Sequence, residues 1–180
     1  MNKKNKVKKT SKIKIEIEQP KHVRPSWDEY FMNIAKQVGT RGTCDRGRVG
    51  CVIVIDKKII STGYVGSPAG VQHCDEVGHE MHTVDYGNGD VHRHCVRTAH
   101  AETNAIVQAA RFGISTEGGT LYCMMVPCYT CAKNIINAGI KRIVCEKDYH
   151  GGKRSKEIFT EAKVELVLLS GDLMQYADQK

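Results

Sequence analysis

Residues 118–146 read GGTLYCMMVPCYTCAKNIINAGIKRIVCE, with one helical segment between two apolar runs. The first run, Thr120–Val126, and the last, Arg142–Cys145, predict β-strands. The segment between them predicts a helix from about Cys128 to Ala138 that ends at Gly139. Both strands are too apolar for either face to meet water. We therefore expect helices to cover both faces of the sheet that contains them.

The flanking sequence continues this alternation of strands and helices. Ser26-Trp27-Asp28-Glu29 has the form of a capping box, and it begins a helix that ends near Gly39. Further expected elements are a hairpin of strands at Val49–Ile55 and Ile59–Gly63, helices at His100–Phe112 and Ser155–Ala162, and a strand at Val164–Leu169. This order predicts the α/β class, as a three-layer α/β/α sandwich around a mixed sheet of about five strands.

The chain has 180 residues, enough for one domain, and its net charge of +7 lies in its N-terminal segment. Residues 1–25 hold nine Lys and Arg against two Glu, whereas residues 26–180 carry equal numbers of basic and acidic side chains. A neutral body is not typical of nucleic-acid binding, which concentrates Lys and Arg on a folded surface. We expect residues 1–25 to be a basic, disordered tail and residues 26–180 to be a single domain.

The sequence also carries information about location. No apolar run approaches the roughly 18 residues of a membrane-spanning helix, and the N-terminus lacks the apolar centre of a secretory signal. We therefore expect a cytoplasmic protein without a membrane partner. Eight cysteines in such a protein favour metal or redox chemistry over a disulfide framework.

The surroundings of the cysteines divide them into two groups. Three lie inside apolar runs and predict buried thiols: Cys51, Cys123 and Cys145. The other five lie in polar or turn-like stretches that favour metal binding: Cys44, Cys74, Cys95, Cys128 and Cys131. Six of the eight histidines fall within residues 73–100. Residues 66–97 show no periodicity and predict a long irregular loop, which in a compact domain is usually functional or held by a ligand.

Two short motifs carry the chemistry. His100-Ala101-Glu102 opens one predicted helix, and Pro127-Cys128-Tyr129-Thr130-Cys131 opens another at the end of a strand. H-x-E followed by P-C-x-x-C is the signature of zinc-dependent nucleobase deaminases. The combination is far more specific than an isolated C-x-x-C, which also occurs in redox pairs and structural zinc sites.

The residue types fit that chemistry. Two thiolates and one imidazole occupy three corners of a tetrahedron around Zn²⁺ and leave the fourth for water, which is typical of a catalytic site. The helix N-termini favour thiolates. Glu102 is then the expected proton shuttle. The alternative is a closed structural zinc site, completed by a fourth protein ligand such as Cys123 or Cys95.

About residues 26–170 resemble the deoxycytidylate deaminase branch of the cytidine deaminase superfamily. Beyond the two motifs, the similar stretches are SWDEYFM, VGCVIV, IISTGYVGSPAG, HCDEVGH, HCVRTAHAETNAI, GGTLYCMMVPCYTCAKNIINAGIKRIV and EKDYH. The resemblance implies a helix-covered five-stranded mixed sheet and conversion of dCMP to dUMP with release of ammonia. It also implies one catalytic zinc per subunit held by His100, Cys128 and Cys131, with Glu102 as the proton shuttle.

The same resemblance implies partners and a second metal. Members of this branch form homo-oligomers, often hexamers, with dimers as the alternative here, and in many of them dCTP activates and dTTP inhibits. Several hold a second, structural zinc, for which the matching positions are Cys44, Cys74 and His94. The fourth ligand is either Cys95 or His79. Such an ion would explain how residues 66–97 remain ordered.

One position departs from the family. Most members have Asn, placed to hydrogen-bond a sugar or an effector nucleotide, where this chain reads Tyr64-Val65-Gly66. Valine cannot form that bond, which weakens the implied nucleotide specificity and effector control. Recognition of the phosphate should then supply most of the discrimination, and candidate donors after the strand at Ile143 are Tyr149, His150, Lys153 and Arg154.

Other functions remain open at this stage. A related deaminase could act on dCTP, a nucleoside, a free base, a pterin or riboflavin-pathway intermediate, or tRNA adenosine. The neutral body disfavours tRNA. A metal-stabilised binding module without catalysis is disfavoured by Glu102, because that residue is not needed as a ligand.

Overall fold

The computed structural model of the protein describes residues 23–85 and 91–174. Residues 23–26 belong to no helix or strand, and the rest of the basic segment predicted to be disordered lies outside the described residues. In chain order the elements are α1 Trp27–Gly39, β1 Gly50–Ile55, β2 Lys58–Tyr64, α2 Cys74–Val77, β3 Met81–Asp85, β4 Val91–Cys95, α3 Ala101–Arg111, β5 Thr120–Met125, α4 Tyr129–Asn137, β6 Arg142–Tyr149, α5 Lys153–Glu161, β7 Glu165–Leu168 and β8 Leu173–Met174.

The main sheet has the strand order β2-β1-β5-β6-β7. Strand β1 is antiparallel to both β2 and β5, whereas β5, β6 and β7 run parallel, so the predicted mixed sheet is confirmed. A short additional strand, β8, pairs in parallel with Asp148 and Tyr149 at the end of β6. Strand β8 was not predicted, because two residues are too few to show a periodicity.

Helices cover both faces of the sheet, as predicted. Helix α1 packs on one face, where Phe31 meets Val52 and Tyr122. Helices α3, α4 and α5 pack on the other face against a larger buried cluster. Successive side chains of a strand point to opposite faces. Accordingly, Tyr122 faces α1 while its neighbour Cys123 faces the three helices.

Helix α1 is fixed at its start and against the sheet. The side chains of Ser26 and Glu29 form the predicted capping box, in which each accepts a hydrogen bond from the other residue's backbone N–H. Asp28 accepts two hydrogen bonds from the Arg142 guanidinium, at 2.8 and 2.9 Å, and one from the Tyr122 hydroxyl at 2.9 Å. These bonds lower the pKa of Asp28 and tie α1 to β5 and β6.

The segment predicted to be one long irregular loop contains regular structure. Residues 66–97 include the short helix α2 and the antiparallel hairpin of β3 and β4, in which Met81 pairs with Cys95 and His82 with His94. Most hairpin side chains are exposed or half-buried. The sequence therefore lacks the apolar alternation that predicts strands.

The connections of the sheet gather the motif residues at one edge. Strands β5 and β6 end close together, and α4 begins just after β5. Helix α3 packs directly on β2 at Gly63, where a Cβ atom would collide with the backbone of Ala101 and Ala105. Ligands bind α/β sheets at the carboxyl ends of parallel strands.

Among the described helices, none is long and apolar enough to cross a membrane.

Candidate active site

Three metal-ligating side chains meet where α3 and α4 begin. His100 is the N-cap of α3, Cys128 is the N-cap of α4, and Cys131 lies in the first turn of α4. The His100 Nδ1 atom lies 3.4 Å from each of the two Sγ atoms. Tetrahedral zinc with ordinary Zn–S and Zn–N bonds separates such atoms by about 3.5 Å. The three donors therefore fit a zinc ion, and they leave its fourth position to another ligand.

The electrostatics of this cluster favour a metal cation. A hydrogen bond with Cys131 lowers the pKa of Cys128 to about 3, and the His100 ring adds to this effect against the opposing influence of burial. Burial disfavours the charged form of His100, but the neighbouring Cys128 raises its pKa to about 9. The pKa of Cys131 is raised by its hydrogen bond with Cys128. Metal binding therefore displaces protons from His100 and Cys131.

Glu102 supplies a carboxyl group that is not part of the ligand set. Its side chain lies in the first turn of α3, and the residue is only 4% exposed. Burial raises its pKa above the ordinary 4.5. A carboxyl group with a raised pKa accepts and returns protons more readily near neutral pH. The site thus combines three metal donors with an acid that remains available for proton transfer.

These groups open into one cavity. Its walls include His100, Glu102 and Cys128 together with Val65 and Tyr149. Val65 is buried, and Tyr149 at the end of β6 is buried as well. Two of the four predicted substrate-binding residues therefore lie at the catalytic cluster.

The other two predicted substrate-binding residues are placed differently. The Tyr64 side chain is 39% exposed, and neither Tyr64 nor Gly66 is among the described residues that line the cavity. Their backbones hold the segment in place instead: Tyr64 accepts a hydrogen bond from the Asn104 amide at 2.8 Å, and Gly66 pairs with Ala99. Because Val65 points inward, the Tyr64 side chain before it points away, and Gly66 has no side chain.

A recess beside the cavity contains two of the four candidate phosphate donors. Tyr149 and Arg154 line it, and the Arg154 guanidinium lies 4.3 Å from the centre of the Tyr129 ring. Lys153 is exposed and does not line this recess. The Nδ1 atom of His150 lies 3.4 Å from the Met174 carbonyl oxygen, on the side of β8.

A second cluster of metal-ligating atoms lies in the polar segment and its surroundings. One donor atom from each of Cys44, Cys74, His79 and Cys95 lies within 4.8 Å of all the others. Cys44 Sγ is 3.6 Å from His79 Nδ1, and Cys74 Sγ is 3.6 Å from Cys95 Sγ. These separations also fit tetrahedral zinc, here with all four positions filled by the protein.

His94 is the residue that differs from the expected second ligand set. His94 immediately precedes Cys95 on β4, so the two side chains point to opposite sides of the strand. His94 lines the catalytic cavity, as Cys95 also does, and its ring centre lies 6.5 Å from that of His100. Burial lowers the pKa of His94. In the second cluster, His79 and Cys95 occur together, although the sequence presented them as alternatives.

Comparison with known families decides the classification. Residues 25–147 match the model of the cytidine and deoxycytidylate deaminase zinc-binding region. The chain belongs to this family. The match contains both the H-x-E and the P-C-x-x-C motif.

Curated proteins are similar to this chain over most of its length. The ComE operon protein 2 of Bacillus subtilis is 42% identical over 141 residues, which cover 78% of this chain and 70% of that protein. The deoxycytidylate deaminase of Mycobacterium phage D29 is 38% identical over 130 residues, which cover 69% of this chain and 98% of the phage protein. The chain spans about half the length of two curated yeast relatives that it also matches.

A solved structure in this family is also similar. The dCMP deaminase from cyanophage S-TIM5, in a crystal structure with dCMP and dUMP, aligns with a TM-score of 0.65 and 26% identity. The alignment covers 82% of this chain and 99% of the phage enzyme.

Two residues of this deaminase site were missed by the sequence analysis. Arg46 lines the catalytic cavity and donates a hydrogen bond to the Arg93 carbonyl at 3.0 Å. Asn104 fixes the backbone next to Val65 through its bond to Tyr64. Helical spacing was an available signal for Asn104, since it lies one turn after His100 on α3.

Proposed function

We propose that the protein is a zinc-dependent hydrolase that converts dCMP to dUMP with release of ammonia. The observation that carries the proposal is the buried carboxyl of Glu102 beside a three-donor metal cluster, with both opening into one cavity. A closed structural zinc site does not require a buried carboxyl group that is not a ligand. Family membership and the relatives named deoxycytidylate deaminase support the same reaction. They do not favour dCTP, a nucleoside, a free base or a riboflavin-pathway intermediate as the substrate.

The residues take separate roles in this reaction. His100, Cys128 and Cys131 hold the ion, which when bound supplies a hydroxide nucleophile at neutral pH. The Glu102 carboxylate accepts a proton from the attacking water and passes it to the ring nitrogen beside the target carbon. The carboxylate next takes the proton of the hydroxyl group that has been added to the target carbon and delivers it to the amino group. The carbonyl then forms as the C–N bond breaks, and ammonia leaves as a neutral molecule. Burial of Glu102 keeps bulk water from competing for these protons.

Substrate recognition is assigned to the walls of the cavity and the adjoining recess. Val65 offers only an apolar contact, so the sugar must be bound by backbone groups or water. Arg154 and Tyr149 are the proposed donors to the 5′-phosphate, with Arg46 as a further cation on the cavity wall. Charge-assisted hydrogen bonds are about twice as strong as neutral ones. We therefore expect dCMP to be preferred over deoxycytidine by at least about 100-fold.

The second cluster is proposed to hold a structural zinc ion. Four protein donors leave no position for water, and three of them are buried cysteines. The ligands come from the segment before β1, from the beginning of α2, from the connection between α2 and β3, and from the end of β4. One ion would thus fix the hairpin of β3 and β4 against the body of the protein.

Four further features of the proposal concern assembly, regulation, location and partners. We expect a homo-oligomer, either a hexamer or a dimer, and exposed apolar side chains near the end of α3 support an interface: Val107, Phe112 and Ile114. Control by dCTP and dTTP stays a prediction, because Val65 replaces the Asn of the family. A cytoplasmic location and the absence of a nucleic-acid partner also stay predictions.

Ammonia release from a panel of substrates tests the proposed function. The panel contains dCMP, CMP, dCTP, deoxycytidine, guanine and RNA that contains adenosine, each at the same low concentration. We expect the highest rate with dCMP, with zinc present in the purified protein. Equal rates on deoxycytidine and dCMP would contradict the assignment and indicate a nucleoside deaminase.

A further inference from the structure

The β3–β4 hairpin carries two histidines that the proposed reaction does not use. His92 and His94 lie two residues apart on β4, so their side chains point to the same side of the strand. Both are half-buried, and both line the recess beside the catalytic cavity. The other residues of the recess belong to the body of the protein and include Tyr149, Gly151 and Arg154. The hairpin therefore contributes part of the wall of the space assigned to the substrate phosphate.

The recess adjoins the catalytic cavity. His94, Cys128 and Tyr149 line both spaces. A nucleotide whose base lies beside Glu102 would therefore extend its 5′-phosphate past these residues into the recess. Among the described residues that line the recess none is acidic, and Arg154 supplies a permanent positive charge. The recess thus suits an anionic group.

His92 lies against the turn that joins β6 to α5. Its ring centre is 5.1 Å from that of His150. A Cβ atom added at Gly151 would lie 3.2 Å from both Cε1 and Nε2 of His92, so this edge of the ring faces the turn. Gly151 does not have a positive φ, and glycine is favoured there by the close approach of the neighbouring rings. The turn thus brings His92 and Arg154 to the same recess.

We propose that His92 is a specificity-determining residue, whose imidazole donates a hydrogen bond to the 5′-phosphate of the substrate while Arg154 binds the same group from α5. The inference rests on the proposed function, because it assigns His92 to the substrate of that reaction. A neutral imidazole already carries one N–H donor, so the bond requires no change of protonation. The side chain acts on the phosphate and takes no part in proton transfer at the base.

Such a bond links substrate binding to the hairpin. In the proposed holoenzyme the hairpin is held at Cys95 by the second cluster, and His92 contacts His150. A phosphate bound by both His92 and Arg154 adds a further connection between β4 and α5. A ligand that binds the closed form makes local opening rarer, so the hairpin should become better protected when the phosphate is bound.

Three variants of His92 separate hydrogen bonding from packing. His92→Ala removes the ring and the donor, His92→Phe retains a ring without a donor, and His92→Gln retains an N–H donor. Loss of a hydrogen bond to a charged group typically costs about 10- to 100-fold. We expect His92→Ala and His92→Phe to lower kcat/KM for dCMP about tenfold, through KM rather than kcat. The rate on deoxycytidine should not change, and His92→Gln should recover most of the loss.

The matched control is His82→Ala. His82 is an exposed histidine on β3 of the same hairpin, and it does not line the recess. This variant should match wild type on both substrates. A loss as large as that of His92→Phe would show that any change in the hairpin lowers activity, and would overturn the assignment of His92.

Hydrogen exchange tests the contact without turnover. Addition of dUMP, the product of the proposed reaction, should slow amide exchange in β3 and β4, whereas deoxyuridine at equal occupancy should not. The slowing should be absent in His92→Phe. Equal slowing by deoxyuridine, equal slowing in His92→Phe, or none in wild type at saturating dUMP would overturn the proposal.

The outcomes distinguish this inference from the proposed function. If the wild-type protein does not deaminate dCMP, the proposed function fails, while exchange with dUMP or inorganic phosphate still decides whether His92 binds a phosphate group. If wild type is active but His92→Phe retains its kcat/KM for dCMP, or loses equally on dCMP and deoxycytidine, the inference is wrong. It is also wrong if His92→Gln falls as far as His92→Phe.

Discussion

The two metal-ligating clusters of this deaminase are built from the same residue types but have different surroundings. The catalytic cluster draws three donors from the N-termini of α3 and α4, beside the buried acid Glu102. The second cluster draws four donors from loops, α2 and β4, and it packs against Val65. Three protein donors leave zinc an open position and four close it. The number of donors and a neighbouring non-ligand acid, rather than Cys and His as such, indicate which site performs chemistry.

Loss of a catalytic ligand gives the largest expected effect on turnover. His100→Ala should remove one zinc per chain and abolish deamination, because two thiolates alone hold the ion poorly and cannot place it in the cavity. Zinc analysis beside kinetics measures both. The matched control is His82→Ala, an exposed histidine outside both clusters, which should retain zinc and activity. Full activity in His100→Ala would contradict the assignment of this cluster, rather than the second one, to catalysis.

Loss of Arg154, the cation in the recess beside the cavity, gives the next largest expected effect on activity. Arg154→Ala should lower kcat/KM for dCMP about 10- to 100-fold, because a charge-assisted bond to the phosphate is lost. The rate on deoxycytidine should not change. Lys153→Ala removes the same charge from the preceding, exposed position and should behave as wild type. An equal loss on both substrates would mean that Arg154 only packs on Tyr129.

Loss of a ligand in the second cluster should reduce stability far more than turnover. His79→Ala should remove one zinc and lower the unfolding temperature, because the ion no longer ties the β3–β4 hairpin to the protein. Hydrogen exchange should increase in that hairpin first. At a temperature where the variant is folded, kcat on dCMP should stay within about threefold of wild type. A loss of turnover as large as that of His100→Ala would contradict a purely structural role.

Removal of the basic N-terminal segment should have the smallest effect. A variant that begins at Arg24 lacks most of the excess positive charge but none of the proposed ligands, acids or phosphate donors. Its kcat and KM on dCMP should match those of the full chain. A folded variant that has lost activity would show that this segment takes part in deamination.

The catalytic cluster was predictable from the sequence because its geometry is local. H-x-E and P-C-x-x-C each fall on the start of one helix, and the strand–helix alternation brings the two helices to the same edge of the sheet. The second cluster depends on separate segments and on the register of the β3–β4 hairpin. That hairpin is polar, so the sequence showed neither its strands nor which of His79 and His94 faces the cysteines.

The sequence also did not show the direction in which each side chain of an extended segment points. The resemblance indicated Tyr64, Val65 and Gly66 together, but the side chains of Tyr64 and Val65 point in opposite directions along the extended segment, and Gly66 has no side chain. Only Val65 reaches the cavity. By contrast, Cys123 was correctly predicted to be a buried thiol, because it lies inside an apolar run.

The most direct test of the central claim is the zinc content and turnover of Glu102→Gln. The account predicts that this variant retains its fold and as much zinc as wild type, since Glu102 is not a ligand. Its kcat on dCMP should fall about 10²- to 10⁴-fold, because the amide cannot carry the proton. A variant that retains zinc and near wild-type turnover would contradict the assignment of Glu102 as the proton shuttle.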